Sequence, residues 1–434
     1  MNKLQLVKLK FEDFKSHHNR VKYYKILMFN LKLSNLRKQE LINSELRKLI
    51  KHAYDTVPYY RKVFDKLGLT PEDIQCKKDL YKLPILTKED IRNNTEDLIS
   101  KNYNIKNCKL IYTGGSTGQP LGVYVNKDYL DWHRAVNLRG FTQQDYHFDR
   151  CVRVWGTTFD NHSFKDKLGR LLRGELRLDG HILTDKVCKK YLETIKSFKP
   201  KVLIGYAHCL YTLAQYAVRN NIRICVPVII QESETLFDFQ KSIIKKAFKG
   251  KILDSLGMRE TALKLIQTEE DGCYTATEDV AILESVRNSM VITDLKNYVM
   301  PLIRYKNEDV CSISEEQDGG FTKVDSIEGR LSDRIILRDG IIINPLFMMY
   351  LVYENPNSRE MKFSNLMLQY KIVQEDYERF VVYIVDDTNK NYDYIKENFK
   401  LFIGESIDVE IRRVDSIPLT RAGKRRYVVS EIKN

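Results

Sequence analysis

A glycine-rich segment, YTGGSTGQPLG at residues 112–122, has the residue types that can bind phosphate. Glycine lets the backbone approach a ligand closely, and successive N–H groups in such a turn converge on an anion, with Ser and Thr hydroxyls as further donors. Gln119 stands where the Walker pattern requires lysine, so the segment is not a P-loop. The same residue types are also typical of a plain hairpin turn, and both interpretations stay open at this point.

Four further polar segments follow along the chain. They are GMRE at 257–260, TDLKNYVMPLIRYKNED at 293–309, GRLSD at 329–333 and IPLTRAGKRR at 417–426. The first two include or directly follow apolar runs predicted as strands, and α/β proteins place ligand groups at strand ends and loops. Five such segments therefore indicate one extended ligand site.

The elements that must position these segments alternate between strand and helix. Apolar β-rich runs at 152–156, 201–207, 224–231 and 251–257 are separated by helical stretches, which predicts a parallel α/β sheet. Polar composition near 328–334 predicts a boundary, and the last 100 residues read as a small α+β domain. We expect a basic N-terminal extension at 1–40, a large domain at 41–332 and a small domain at 333–434.

Local signals also mark three helices. Helical periodicity over 37–66 is interrupted at Pro58, which predicts a break or kink there. Thr87 precedes Lys-Glu-Asp, with Asp90 three residues on, and this pattern is typical of a helix N-cap. Residues 127–139 are predicted as a helix after the glycine-rich segment.

Charge is uneven along the 434 residues. The net charge is +13, and residues 1–60 hold 13 Lys and Arg against five Asp and Glu. Residues 20–33 fit either a basic amphipathic helix for an anionic membrane surface or a packed helix with a solvated lysine face. No signature of a nucleic-acid-binding fold accompanies the charge, so we expect no nucleic-acid partner, while a peripheral membrane contact stays open.

The eight cysteines include no CxxC pair, which predicts reduced thiols and a cytoplasmic protein. No run of 18 apolar residues is present, and the N-terminal residues lack the apolar region of a secretory signal. The sequence leaves the oligomeric state open.

Together, the five segments resemble the core motifs of the adenylate-forming superfamily of acyl-CoA synthetases and adenylation domains. HAYDTVPYYRKVFDKLGL, LPILTKEDIRNN, VITDLKNYVMPLIRY and IPLTRAGKRR resemble its phenylacetate–CoA ligase branch, with the capsule-biosynthesis (CapK-type) relatives. The resemblance spans roughly residues 45–432, with the motifs in family order. It implies a large N-terminal α/β adenylation domain and a small mobile α+β C-terminal domain.

The resemblance also implies roles for individual residues. The glycine-rich segment would contact the ATP pyrophosphate through Thr113, Gly114, Gly115, Ser116, Thr117 and Gly118. Glu260 would hold Mg²⁺, which requires oxygen ligands. Asp309 would accept hydrogen bonds from both ribose hydroxyls, since a carboxylate has sites for two donors. The nucleotide would be bound further by Glu234, Gly257, Met258 and Arg330.

Two positions at the end of the chain complete the implied set. Asp333 matches the hinge between the domains, and Lys424 matches the lysine that reaches the carboxylate and the α-phosphate during adenylation. A flexible cation suits the charge that develops on a pentacoordinate phosphate.

Three positions depart from the family pattern. Leu256 replaces the usual aromatic residue that stacks on adenine, so apolar packing and the 232–236 loop would hold the base instead. Glu308 replaces the glycine before Asp309, and Arg259 stands where small residues are common. Separately, His208 fits either an acyl pocket or ordinary packing.

The function implied is ATP-dependent activation of a carboxylate as acyl-AMP. Transfer to CoA, an acyl carrier protein or an amine would follow, in a cytoplasmic enzyme serving cell-surface polysaccharide synthesis. Two alternatives are a nucleotide-binding scaffold that has lost catalysis, favoured by Leu256 and Glu308, and a basic nucleic-acid-binding protein, favoured by the N-terminal charge.

Overall fold

The structure is a computed structural model, and it divides into two units, Met1–Ile327 and Glu328–Asn434. It describes residues 3–112, 121–147, 150–155, 174–180, 183–232, 234, 236–314, 320–330, 335–338, 342–343, 348, 351–352, 369–386, 392–418 and 426–432. Each unit is described below by itself.

The first unit begins with five helices. They are α1 (Lys3–Ser16), α2 (Arg20–Asn30), α3 (Asn35–Thr56), α4 (Pro58–Leu67) and α5 (Lys88–Asn93). Pro58 occupies the first turn of α4, where its missing N–H costs nothing, so the predicted break is confirmed. The N-cap at Thr87 is confirmed as well, because its hydroxyl accepts from the Asp90 amide at 3.1 Å.

A hairpin of β1 (Lys109–Tyr112) and β2 (Gly122–Val125) follows, and Tyr112 pairs with Gly122. The glycine-rich segment therefore connects two antiparallel strands, as predicted. Helix α6 (Lys127–Gln143) begins after β2, capped by the Asn126 side chain, which accepts from the Tyr129 amide at 2.8 Å.

An 11-stranded sheet forms the centre of the first unit, in the order β4-β3-β5-β6-β7-β8-β9-β13-β12-β11-β10. Its parallel half confirms the predicted α/β pattern. It comprises β3 (Cys151–Trp155), β4 (Glu175–Asp179), β5 (Val202–Gly205), β6 (Val228–Glu232) and β7 (Lys251–Gly257), with helices α7 (Asp185–Phe198), α8 (Ala207–Arg219) and α9 (Asp238–Phe248) along the chain. Val154, Leu203, Ile229 and Ile252 contribute to a core cluster with apolar residues of these helices.

Beyond β7 the sheet continues with antiparallel strands. They are β8 (Lys264–Gln267), β9 (Tyr274–Ala276), β10 (Ala281–Val286), β11 (Ser289–Asp294), β12 (Tyr305–Ile313) and β13 (Lys323–Arg330). The apolar run predicted as a strand at the start of the 293–309 segment is β11, whereas β4 was not predicted, because ELRLD is polar. Asp309 lies on β12 of this half, and Glu260 lies in the connection between β7 and β8.

The second unit contains a four-stranded sheet in the order β18-β17-β16-β19. The strands are β16 (Gln369–Asp376), β17 (Arg379–Val385), β18 (Asp408–Arg413) and β19 (Val428–Ser430), with helix α10 (Asp393–Phe402) and a short pair, β14 (Ile335–Ile336) and β15 (Ile342–Ile343). This is the predicted α+β composition.

All eight cysteines are free thiols, as predicted. No helix in the described part of the chain is long and apolar enough to cross a bilayer.

Candidate active site

Strand β12 carries one of the predicted ligand carboxylates, Asp309, and contacts the other, Glu260. Tyr305, Asn307 and Asp309 lie on β12 where its pairing with β11 shifts register between Lys306 and Val310, so their contacts place them together. The Tyr305 hydroxyl donates to Glu260 Oε1 at 3.3 Å, and Asn307 Nδ2 donates to Asp309 Oδ2 at 2.7 Å. The predicted metal ligand and the predicted ribose ligand are thus contacted from one short segment of one strand.

Asn307 also joins this strand to the turn after β7. Its Nδ2 lies 3.2 Å from Met258 Sδ, while its Oδ1 accepts from the Asp309 amide at 3.1 Å. The side chain therefore contacts Asp309 at both its carboxylate and its backbone amide. Asn307 was not among the predicted residues, because only its neighbours matched the motif.

The turn after β7 is built around Met258. Gly257 ends the strand and pairs with Lys264 of β8, so the intervening residues form a tight connection. The Met258 carbonyl accepts from His133 Nε2 at 2.8 Å. Gly257 is exposed, and a Cβ there would meet no atom within 4 Å, so close packing does not require glycine at this position.

Asp294 anchors the segment that follows Glu260. Its carboxylate is buried and accepts from the Ala262, Lys296 and Asn297 amides at 2.6, 2.8 and 3.1 Å. The Tyr129 hydroxyl is a fourth donor at 3.2 Å. Burial raises the pKa of Asp294 above its ordinary value, and the hydrogen bonds to its ionised form oppose that shift.

His133 is a second residue that sequence reasoning did not place in the site. Burial lowers the pKa of its ring below the ordinary value; the hydrogen bond to the Met258 carbonyl opposes that shift, while the cations Lys264, Arg259 and Arg134 reinforce it. Because Nε2 faces a carbonyl, the neutral ring carries its proton on that atom. The helix α6 thereby supports the turn that carries Glu260.

Arg259 and Tyr112 connect this turn to the hairpin. Arg259 is exposed, and its Nη1 lies 3.5 Å from the carbonyl oxygen of Tyr112, the last residue of β1. The residue before the glycine-rich segment therefore lies beside the turn that carries Glu260. Residues 113–118 themselves lie outside the described residues.

Glu234, a predicted nucleotide ligand, is hydrogen-bonded to His208. Its carboxylate accepts from the His208 amide at 3.0 Å and lies 2.9 Å from His208 Nδ1. His208 stands in the first turn of α8, so the carboxylate sits at a helix N-terminus, where negative charge is stabilised. Of the 232–236 loop, residues 233 and 235 lie outside the described part.

A buried ion pair joins the last residue of β6 to the first residue of β8. Lys264 Nζ contacts Glu232 Oε1 at 2.6 Å and Asn137 Oδ1 at 2.9 Å. Burial alone would raise the pKa of Glu232, but the Lys264 ammonium and Arg153 hold it below the ordinary value. Glu232 is therefore a satisfied core carboxylate beside the candidate site.

Three predicted positions cannot be placed. Asp333 and Lys424 lie outside the described residues, as does the side chain of Arg330, which ends β13. Leu256, in place of the expected aromatic residue, packs against an apolar cluster that includes Met258 and Leu265.

The donor set at Glu260 is compatible with Mg²⁺. No group of three or more His, Cys, Asp or Glu side chains that could hold a metal ion occurs among the residues described. Mg²⁺ does not need such a cage, because it commonly takes one or two carboxylates and fills its other positions with water and phosphate oxygens. The half-buried carboxylate of Glu260 suits that chemistry.

Comparisons with known proteins agree with this arrangement. The family model of the CapK C-terminal domain matches residues 341–431. Protein CapK of Staphylococcus aureus is 25% identical over 420 residues, which cover 91% of this chain and 89% of that protein. Phenylacetate-coenzyme A ligase of Pseudomonas putida is 25% identical over 334 residues, or 71% of this chain and 74% of the ligase.

Among solved structures, a 2-hydroxyisobutyryl-CoA ligase in the postadenylation state, in complex with R3-HIB-AMP, superposes with a TM-score of 0.66. The identity is 16%, and the match covers 91% of this chain and 90% of the ligase, so the likeness shows a common fold. The chain is therefore similar over most of its length to CapK and, over about 70%, to a phenylacetate–CoA ligase, and it shares the fold of an adenylate-forming CoA ligase.

Proposed function

We propose that this adenylate-forming ligase uses ATP to activate a carboxylate as acyl-AMP and then transfers the acyl group to a thiol or an amine. The observation that carries the proposal is the segment of β12 whose Tyr305 contacts Glu260 and whose Asn307 contacts both Asp309 and Met258. The order of the motifs and the relatives in sequence support it further.

In the proposed complex, Asp309 accepts hydrogen bonds from the ribose hydroxyls, and its orientation is set by Asn307. Gly257, Met258, Glu234 and Arg330 lie around the nucleotide. Residues Thr113, Gly114, Gly115, Ser116, Thr117 and Gly118 bind the pyrophosphate portion through N–H groups and hydroxyls. Mg²⁺ on Glu260 would neutralise phosphate charge.

The first step joins the carboxylate to the nucleotide. A carboxylate oxygen attacks the α-phosphorus, the bond to the bridging oxygen breaks, and pyrophosphate leaves with the electron pair. Lys424 stabilises the charge on the pentacoordinate phosphate. No general base is required, because the nucleophile is already an anion.

The second step consumes the acyl-AMP. A thiol or amine attacks the acyl carbon, loses its proton, and AMP leaves with the bridging oxygen. In the proposal, rotation about Asp333 withdraws Lys424 between the two steps. CoA and a carrier thiol are the thiol candidates, and a sugar amine is the amine candidate.

The proposal places the reaction in cell-surface polysaccharide synthesis in the cytoplasm. The support is the extent of the similarity to CapK, which covers 91% of the chain against 71% for the phenylacetate–CoA ligase. The CapK C-terminal domain model, matching 341–431, supports the same branch.

The test is ATP-dependent pyrophosphate release by the full chain against aryl, amino, hydroxy and uronic acids, with hydroxylamine as acceptor. The proposal predicts release and hydroxamate formation with one class of acid. Lys424→Ala is the matched control, and release that this variant retains in full would count against the assignment. ATP binding with no release for any acid would favour the scaffold alternative.

A further inference from the structure

Helix α1 carries three large apolar side chains on its outward face. Val7, Phe11 and Phe14 are 62%, 69% and 83% exposed. At 3.6 residues per turn their positions fall within a stripe about 60° wide. Two exposed phenylalanines one turn apart form a patch of the kind that marks an interaction site.

Lysines border this stripe on both sides. Lys8 and Lys15 fall on one edge of the stripe and Lys10 on the other, and all three are exposed. The outward face therefore combines an apolar centre with cationic margins. This is the pattern of helices that lie in the interface of an anionic bilayer.

The acidic residues of α1 are engaged elsewhere. Asp13 is buried and accepts from Arg20 Nε at 2.6 Å and from the Val21 amide at 2.8 Å. Glu12 pairs with the same arginine at 3.4 Å. Both acidic side chains of the helix thus contact Arg20 at the start of α2.

The helix pair is itself fixed to the first unit. His18 Nδ1 lies 2.7 Å from Asp131 of α6, and the Tyr23 ring stacks on Trp132 with centroids 4.0 Å apart. The apolar face of α1 is consequently held outward by packing on its other side.

Helix α2 also has an outward face that combines lysines with an exposed phenylalanine. Its Val21, Tyr24 and Leu27 are buried, while its outward positions include Lys22, Lys25 and Phe29. Phe29 is 64% exposed. The packed helix with a solvated lysine face is therefore present, and a membrane contact of residues 20–33 stays a prediction.

We propose that the outward face of α1 is a peripheral membrane-binding surface for an anionic bilayer. Val7, Phe11 and Phe14 enter the boundary between headgroups and acyl chains, and the three lysines contact anionic headgroups. The occupant follows from charge complementarity, because cationic margins around aromatic side chains fit a negatively charged lipid surface. The proposal is independent of the chemistry at Glu260.

Helix α10 provides an internal comparison. Leu401 is 68% exposed, but Asp393 and Glu397 on the same helix balance Lys396 and Lys400. The helix that carries Leu401 therefore lacks the excess of lysines that borders the apolar stripe of α1. Leu401→Glu is accordingly the matched control.

The test is co-sedimentation of the full chain with phosphatidylcholine vesicles containing none or about 30% phosphatidylglycerol. We expect binding only to the anionic vesicles, weakened at least ~10-fold by Phe11→Glu with Phe14→Glu and not by Leu401→Glu. Lys8→Glu with Lys15→Glu should also weaken binding, as should raising salt from about 0.1 M to about 0.5 M. Circular dichroism and pyrophosphate release check that each variant is folded.

A second measurement covers the case in which the double variant fails to fold. Phe14→Trp should show a blue-shifted fluorescence when anionic vesicles are added and no shift with neutral ones. No binding to anionic vesicles, or binding that Phe11→Glu with Phe14→Glu leaves unchanged, would overturn the proposal. Self-association in sedimentation velocity that Phe14→Glu abolishes would replace the membrane with a second copy of the chain.

Discussion

Glu260 and Asp294 are two carboxylates near the same turn, and the protein satisfies them differently. Asp294 is fully buried and accepts from three amides and the Tyr129 hydroxyl. Within the described residues, Glu260 is half-buried and accepts one hydrogen bond, from Tyr305 at 3.3 Å. A carboxylate offers about four acceptor positions. Asp294 therefore serves the fold, whereas Glu260 retains capacity for a cation.

A second pair of regions repeats the contrast. Asp279 is buried, accepts from Arg139 Nη1 at 2.8 Å and from Asn30 Nδ2 at 2.9 Å, and joins elements far apart in sequence. Asp309 is also buried, and its carboxylate accepts from Nδ2 of Asn307, two positions away on the same strand. Asp279 therefore joins distant elements, while Asn307 orients Asp309 from within β12.

The largest effect is expected from removal of Lys424, the cation proposed to stabilise the charge on the phosphate during adenylation. Lys424→Ala should lower kcat/KM for acyl-AMP formation about 1,000-fold, because the developing phosphate charge loses its counter-charge. Transfer from supplied acyl-AMP should change little, which single-turnover assays of the two half-reactions would measure. Survival of both half-reactions would remove Lys424 from the mechanism.

Asp294→Ala tests the other carboxylate of the first comparison, the one that stabilises the fold. It should lower the free energy of unfolding by about 3 kcal/mol, because three amides and a tyrosine hydroxyl lose their buried acceptor. Urea unfolding would measure the change. Glu193→Ala, on an exposed position of α7, is the control and should stay within about 0.5 kcal/mol of wild type. An equally small effect of Asp294→Ala would contradict its structural role.

Asn307→Ala tests local orientation of the ribose ligand. Without the Nδ2 donor, Asp309 is less well fixed, so the KM for ATP should rise about 10-fold while kcat changes less. Lys306→Ala, one residue away and on the other face of β12, should leave the KM for ATP near that of wild type. A similar KM in both variants would show that Asn307 does not position Asp309.

His133→Gln should have the smallest effect, visible through pH. Because the pKa of folded His133 is lowered, the unfolded chain binds the proton more readily, and stability falls as pH drops below about 6.5. The variant should lose less stability than wild type between about pH 7 and pH 5.5, by up to about 1 kcal/mol.

Thermal unfolding at several pH values measures this difference. His147→Gln, at an exposed position, should keep the wild-type pH dependence. Identical profiles for His133→Gln and wild type would mean that His133 does not resist protonation in the folded protein.

Local chemistry made part of this structure predictable. The capping hydroxyl of Thr87 and the fixed backbone of Pro58 act within a few residues, and their signals are correspondingly clear. The parallel strands β3, β5, β6 and β7 were visible as apolar runs, whereas the polar β4 was not. Glu260 and Asp309 were identifiable through short motifs.

The partners of these residues were not predictable in the same way. Tyr305 meets Glu260 across 45 positions of sequence, and Tyr129 meets Asp294 across 165. Such contacts depend on how helix α6, the loop after β7 and strand β12 pack together, which the sequence did not reveal. In β12 the residues YKNED carry no apolar pattern, so the contacts of Tyr305, Asn307 and Asp309 emerge only from the folded sheet.

The most direct test of the account is a Mg²⁺ titration of ATP-dependent pyrophosphate release, with wild type, Glu260→Gln and the exposed control Glu269→Gln. If Glu260 is the open carboxylate that holds the cation, Glu260→Gln should need at least ~10 times more Mg²⁺. It should also release pyrophosphate more slowly, with an unchanged thermal unfolding midpoint. The same Mg²⁺ dependence and the same rate in all three proteins would contradict the account.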